Sequence, residues 1–245
     1  MRLSDRVHLV GSGFLGWSLS DRHDSHVYLV DGGTEALLVD AGSGLGRAAI
    51  LDLIERSAAP PVTRILVTHG HADHAAGAGA LAAALDARVL ASTAVARMLA
   101  DADEVATGLA VARSAGTYPP HLRLTPTAVD DVRDEGSLRV GDLTVTVLPT
   151  PGHAAGHLCF LVTTPAGDRS VFTGDLVFAR GRTAVLGTAD TDLAQLRRSL
   201  RVVAEARPAA LFPGHGSIAL AGAGAHLDIA LAAFDAGRLP PPLLP

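Results

Sequence analysis

The chain reads as a mixed α/β protein. Short runs rich in Val, Leu and Ile alternate with Ala- and Leu-rich stretches of helical period. The runs end at Gly or Pro, the residues that punctuate strands. Apolar residues make up 48% of the 245 positions and aromatic residues 4%, which specifies a sizeable core built from aliphatic side chains. The 18% of charged residues is too few for a disordered chain. No low-complexity linker divides the sequence, so a single domain over 1–245 is expected, with about 100–131 as an inserted cap.

Strands are expected at 7–10, 26–30 and 36–39, the last two joined by the hairpin-type turn Asp31-Gly32-Gly33. Between the first two lies Gly11-Ser12-Gly13-Phe14-Leu15-Gly16-Trp17. It lacks dinucleotide-binding spacing and reads as a flexible loop, with Phe14 and Trp17 as pocket-wall candidates. A helix over about 45–56 follows, closed by Pro60-Pro61. Next come a strand at 64–67, a glycine-softened helix over 75–85, a strand at 88–91 and a helical pattern over about 92–113. Residues 100–131 fit no regular βα unit, hence the cap. The alternation in 137–140 and 143–148, around Gly141-Asp142, predicts a hairpin. Strands at 157–163, 170–173 and 209–212 follow, with helices over about 191–205 and 223–234. Leu193, Leu196, Leu200 and Val203 recur at core-facing spacing. The proline-rich tail is expected to fray.

The most informative stretch is Thr68-His69-Gly70-His71-Ala72-Asp73-His74. Three histidines and a carboxylate stand on a tight strand-to-helix turn, with small spacers between them. Neutral imidazole and carboxylate suit Zn²⁺, and also Fe or Mn. The helical H-E-x-x-H zinc pattern is absent. Asp40, His69, His153, Asp175 and His215 each follow an apolar strand beside Gly or Pro. Any one of them fits turn chemistry, and Asp40 alone reads as a turn or helix-cap aspartate. Five strand ends with one habit point to a common edge, where open α/β folds place their sites.

Composition narrows the function. All 20 basic residues are Arg, so Schiff-base and P-loop lysine chemistry is ruled out. The net charge of −5, without a basic run, speaks against a nucleic-acid partner. Cys159 is the only cysteine, so no intrachain disulfide forms. The first residues carry no apolar signal-peptide core, and no apolar run is long enough to span a membrane. A soluble cytoplasmic protein acting on a small molecule, with no membrane partner, is expected.

Taken together, His69-x-His71-x-Asp73-His74, His153, Asp175 and His215, with Asp40 ahead of them, resemble the metallo-β-lactamase superfamily over about 7–226. The resemblance implies a four-layer αββα sandwich with a helical cap. It assigns His69, His71 and His153 to a first metal and Asp73, His74 and His215 to a second. Asp175 bridges them, and Asp40 hydrogen-bonds around the ligands. Pro151-Gly152-His153-Ala154-Ala155-Gly156-His157, Phe172-Thr173-Gly174-Asp175-Leu176-Val177-Phe178 and Gly181-Arg182-Thr183 are similar to the glyoxalase II-like branch. True β-lactamases of the superfamily usually carry Cys or Ser in place of the bridging aspartate. Flavodiiron proteins have Glu where His71 stands. The 30 residues after His215 are too few for the glutathione-binding extension of classical glyoxalase II.

The resemblance implies a binuclear zinc hydrolase in which a metal-bridging hydroxide cleaves a thioester or related ester, with Asp73 as ligand and proton acceptor. A lactone is the alternative substrate, and a mononuclear Fe²⁺ persulfide dioxygenase the alternative reaction. A non-catalytic metal-dependent module ranks last, because all seven ligands are present. His8, His23, His26, His121, His157 and His226 are read as core or surface histidines. His157, four residues past His153, is the best candidate for supporting a ligand. Tyr118, in the cap, is open between substrate contact and loop packing.

Overall fold

The β-branched runs of the first half pair into one sheet. In the computed structural model, which describes residues 1–188 and 190–243, the chain divides into two compact units, Met1–Arg133 and Asp134–Pro245. In the first, the described strands are β1 (Val7–Gly11), β2 (Val27–Asp31), β3 (Ala36–Val39), β4 (Val62–Leu66), β5 (Arg88–Ala91) and β6 (Asp131–Val132), hydrogen-bonded in that order. β1, β2 and β3 run antiparallel, and β3 through β6 run parallel. Because β3 and β4 are parallel, Asp40 and His69, which follow them, emerge at the same edge.

The helices of this unit are α1 (Arg47–Arg56), α2 (Ala72–Ala75), α3 (Ala78–Leu85), α4 (Thr93–Ala100) and α5 (Leu109–Ser114). Leu38, Ile65 and Val89 pack with Ile50 of α1, Leu81 of α3 and Val95 of α4. Their strand neighbours Leu37, Leu66 and Leu90 are buried as well. Burial on both faces explains why these strands read as continuous apolar runs.

Two expected helices are broken. Helix 75–85 instead begins at Ala72 and is interrupted at Gly77. The Gly77 amide donates to the Gly42 carbonyl at 2.9 Å, and a Cβ there would stand 2.1 Å from the Ala41 oxygen. Only glycine lets the two chains come so close. The pattern over 92–113 breaks between α4 and α5. There the Asp103 carboxylate accepts from the amides of Val105 and Ala106 at 3.0 and 2.9 Å. A short acidic side chain thus competes with helix hydrogen bonding.

In the second unit the described strands are β7 (Gly136–Val140), β8 (Leu143–Pro149), β9 (Leu158–Thr163), β10 (Arg169–Gly174) and β11 (Ala210–Pro213), in the sheet order β11-β10-β9-β8-β7. β10 and β11 are parallel, so Asp175 and His215 leave the sheet at one edge. β9 is antiparallel to β10, which brings the β8-to-β9 turn carrying His153 to that edge too. Helices α6 (Leu193–Glu205) and α7 (Ala223–Asp235) cover the sheet. Leu196, Leu200 and Val203 pack with Val171, Leu211 and Leu227, as the spacing predicts. The Asp192 carboxylate caps α6 by accepting from the Gln195 amide at 2.9 Å, which holds its pKa below the ordinary aspartate range.

The tail does not fray through residue 243. The Thr183 amide donates to Pro241 O and the Leu243 amide to Thr183 O, both at 2.9 Å. Arg182 adds a bond to Leu243 O at 3.1 Å. These backbone pairings are long-range in sequence and leave no local signal. No helix among the described residues is long and apolar enough to cross a membrane.

Candidate metal centre

In the first unit, the turn after β4 and the first turn of α2 display His69, His71, Asp73 and His74. Asp40 lies behind them, 2% exposed, in a left-handed conformation with φ 63°. It is no helix cap, since Gly46 holds that position in α1. Its carboxylate accepts from the Thr68 amide at 2.8 Å, the Thr68 hydroxyl at 3.0 Å and His74 Nδ1 at 2.8 Å. With its hydroxyl proton given to Asp40, Thr68 Oγ1 accepts from His69 Nδ1 at 3.0 Å. Both histidines therefore carry their proton on Nδ1 and present the Nε2 lone pair, as a metal ligand must. Asp40 also helps hold the buried Tyr28 phenol well above its ordinary value, behind the larger effect of burial.

The spacing fits a cation. His69 Nε2 stands 3.0 Å from His71 Nδ1, and His74 Nε2 stands 3.6 Å from Asp73 Oδ2. Ligand atoms 2.0–2.1 Å from a tetrahedral ion lie about 3.3 Å apart. The ligand atoms of His69 and His74 also lie within 4.8 Å of each other.

In the second unit, His153 Nδ1 donates to Ala184 O at 2.8 Å, which again leaves Nε2 as the acceptor nitrogen. Asp175 Oδ2 is 3.7 Å from His153 Nε2 and 3.6 Å from His215 Nε2. These gaps are too long for hydrogen bonds and leave room for a cation between imidazole and carboxylate. The Asp175 amide donates to His157 Nε2 at 3.3 Å, and His157 Nδ1 contacts Thr150 Oγ1 at 3.0 Å. His157 thus buttresses the backbone of Asp175. In both units, buried electron-rich nitrogen and oxygen atoms converge, and divalent cations suit that donor set.

Sequence reasoning did not single out Thr68 or the Ala184 carbonyl. A hydroxyl directly before His69 was the available signal for Thr68. A backbone carbonyl 31 residues from its histidine leaves none. Tyr118 donates its phenol proton to Asp73 Oδ1 at 2.9 Å, so it touches a ligand candidate directly. Phe14 and Trp17 are exposed, at 69% and 52%.

A family model described as the metallo-beta-lactamase superfamily matches residues 20–215. The chain belongs to the metallo-β-lactamase superfamily. This superfamily member is 27% identical over 195 residues to an atrochrysone carboxyl ACP thioesterase of Aspergillus fumigatus, covering 79% of the chain and 38% of the relative. It is 28% identical over 167 residues to a hydroxyacylglutathione hydrolase of Tolumonas auensis, covering 67% of the chain and 51% of that relative. The chain thus spans about half or less of the length of these curated relatives. A subclass B3 metallo-β-lactamase of Bradyrhizobium japonicum shares the fold, with a TM-score of 0.71 at 18% identity over 97% of this chain and 92% of the other.

Proposed function

We propose that this chain is a binuclear zinc thioester hydrolase of the glyoxalase II-like branch, acting on a small molecule in the cytoplasm. In this reading it is one domain with a cap over residues 100–131. His69, His71 and His153 hold one zinc, Asp73, His74 and His215 hold the other, and Asp175 bridges them. The observation that carries the reading is Asp175 Oδ2, flanked by His153 Nε2 and His215 Nε2 at 3.7 and 3.6 Å. A single oxygen facing two imidazoles supports a bridging carboxylate, the group that true β-lactamases usually replace. The thioesterase and hydroxyacylglutathione hydrolase among the relatives support an acyl substrate.

The bound metals would acidify water and polarise the acyl carbonyl. The protein's own share is positional. Asp40 and Thr68 set the tautomers of His74 and His69, and Ala184 sets that of His153. Asp73 would take a proton from water as its oxygen bonds the acyl carbon, and return that proton to the sulfur as the C–S bond breaks. The products are one carboxylic acid and one thiol.

Metal content per chain, on protein purified without added metal or chelator, tests the reading. About two zinc per chain, with thioester cleavage abolished in a folded Asp73→Ala variant, supports it. About one iron per chain, with oxygen consumed on a persulfide, replaces it with the dioxygenase. Unchanged turnover in Asp73→Ala removes the role given to Asp73, and cleavage confined to lactones corrects the substrate.

A further inference from the structure

Asp73 is hydrogen-bonded at two points and faces His74 at a third, all within the first unit. Its Oδ2 faces His74 Nε2 at 3.6 Å, its own carbonyl accepts from the Ser25 amide at 3.1 Å, and its Oδ1 accepts the Tyr118 hydroxyl at 2.9 Å. The Tyr118 ring is itself seated. The His23 ring lies 5.9 Å away, tilted by 42°, and His23 Nδ1 is tied to Asp21 Oδ1 at 2.7 Å. Ser25 and His23 belong to the glycine-flanked loop after β1, and Tyr118 belongs to the irregular segment after α5. Both segments therefore close on one carboxylate.

We infer that Tyr118 is a positioning residue that makes Asp73 a one-oxygen metal ligand and couples the segment after α5 to metal occupancy. A carboxylate can bind a cation through one oxygen or both. The phenol bond fixes the carboxylate with Oδ1 toward Tyr118 and Oδ2 toward His74. A carboxylate presented this way needs no reorientation when the cation arrives. The neutral phenol adds no charge of its own, so it orients the ligand without cancelling its charge. The inference rests on the assignment of Asp73 as a metal ligand proposed above.

The test is zinc titration of metal-free wild type and Tyr118→Phe against a chromophoric chelator, with the melting temperature of both metal-free proteins. Removing one oxygen keeps the ring against His23. The expected result is a loss of about 10–100-fold in the affinity of the weaker zinc, with the tighter zinc and the metal-free melting temperature unchanged. A merely structural tyrosine would shift the melting temperature and leave zinc affinity alone, and that outcome overturns the inference, as do equal affinities in both proteins. The wild-type stoichiometry separately judges the binuclear reading. If wild type takes a single zinc and Tyr118→Phe weakens it, the positioning role stands while the binuclear reading falls.

Discussion

Asp40→Asn removes a charge and one acceptor while keeping the side-chain shape, and the hydrogen bonds around Asp40 decide its effect. The two carboxylate oxygens accept from three donors: the Thr68 amide, the Thr68 hydroxyl and His74 Nδ1. An asparagine has one oxygen and one NH₂ group. With the oxygen toward Thr68, the NH₂ group meets His74 Nδ1–H, donor against donor. His74 then must move its proton to Nε2, the nitrogen that a metal needs. With the oxygen toward His74, the NH₂ group meets the buried Thr68 amide instead. The first arrangement keeps its hydrogen bonds at the expense of the Nε2 lone pair, and the second strands a buried donor at about 1–3 kcal/mol of stability. If His74 is a ligand as proposed, misdirecting it costs about 10–100-fold in metal affinity, or about 1.4–2.8 kcal/mol. The assay is chelator competition for zinc on wild type and variant, with nitrogen NMR of His74 to read which ring nitrogen is protonated. An Asp40→Asn protein that binds zinc as tightly as wild type, with His74 still protonated on Nδ1, refutes the reasoning.

The same geometry yields other expected outcomes. Phe172→Ala removes the ring stacked on Phe212 at 4.9 Å in the β10–β11 pair and should cost about 3–5 kcal/mol, read from urea unfolding. Gly152→Ala should destabilise by about 3 kcal/mol, since φ there is 132° and a Cβ would stand 2.2 Å from the Leu196 nitrogen. Circular-dichroism melting of that variant checks it, with reduced zinc binding expected because His153 is the next residue. Glu104 accepts from Arg113 at 2.5 Å and from the Leu124 amide at 3.2 Å, and the Arg113 bond holds its carboxyl below the ordinary glutamate range. That stabilisation is complete above the unfolded glutamate value and is lost as the pH falls through the lower folded value. Hydrogen exchange over residues 104–124 should therefore accelerate on acidification, and Glu104→Gln should show the faster exchange already at neutral pH.

Much of this protein was legible in its sequence. The continuous apolar runs became strands such as β2, β3 and β9, buried on both faces, and the alternating run 143–148 became β8, which buries one face. His69, His71, Asp73 and His74 were legible because they crowd into six positions, where neither core nor surface explains them. The helix breaks were not, because the helix is interrupted at Gly77 by a carbonyl from 36 residues away in sequence and Asp103 competes through a turn of its own. The pinned tail and the Ala184 carbonyl were hidden for the same reason: backbone groups carry no residue identity.

The sequence by itself determined the chemistry available: a histidine- and carboxylate-rich turn, an aspartate or histidine after each of several strands, and no lysine. Tertiary structure decided what each group does. Parallel pairing of β3 with β4 set Asp40 behind His74, and parallel pairing of β10 with β11 set Asp175 beside His215. A proton sits on one ring nitrogen rather than the other because of a partner distant in the chain. Only folding brings that partner within 3 Å.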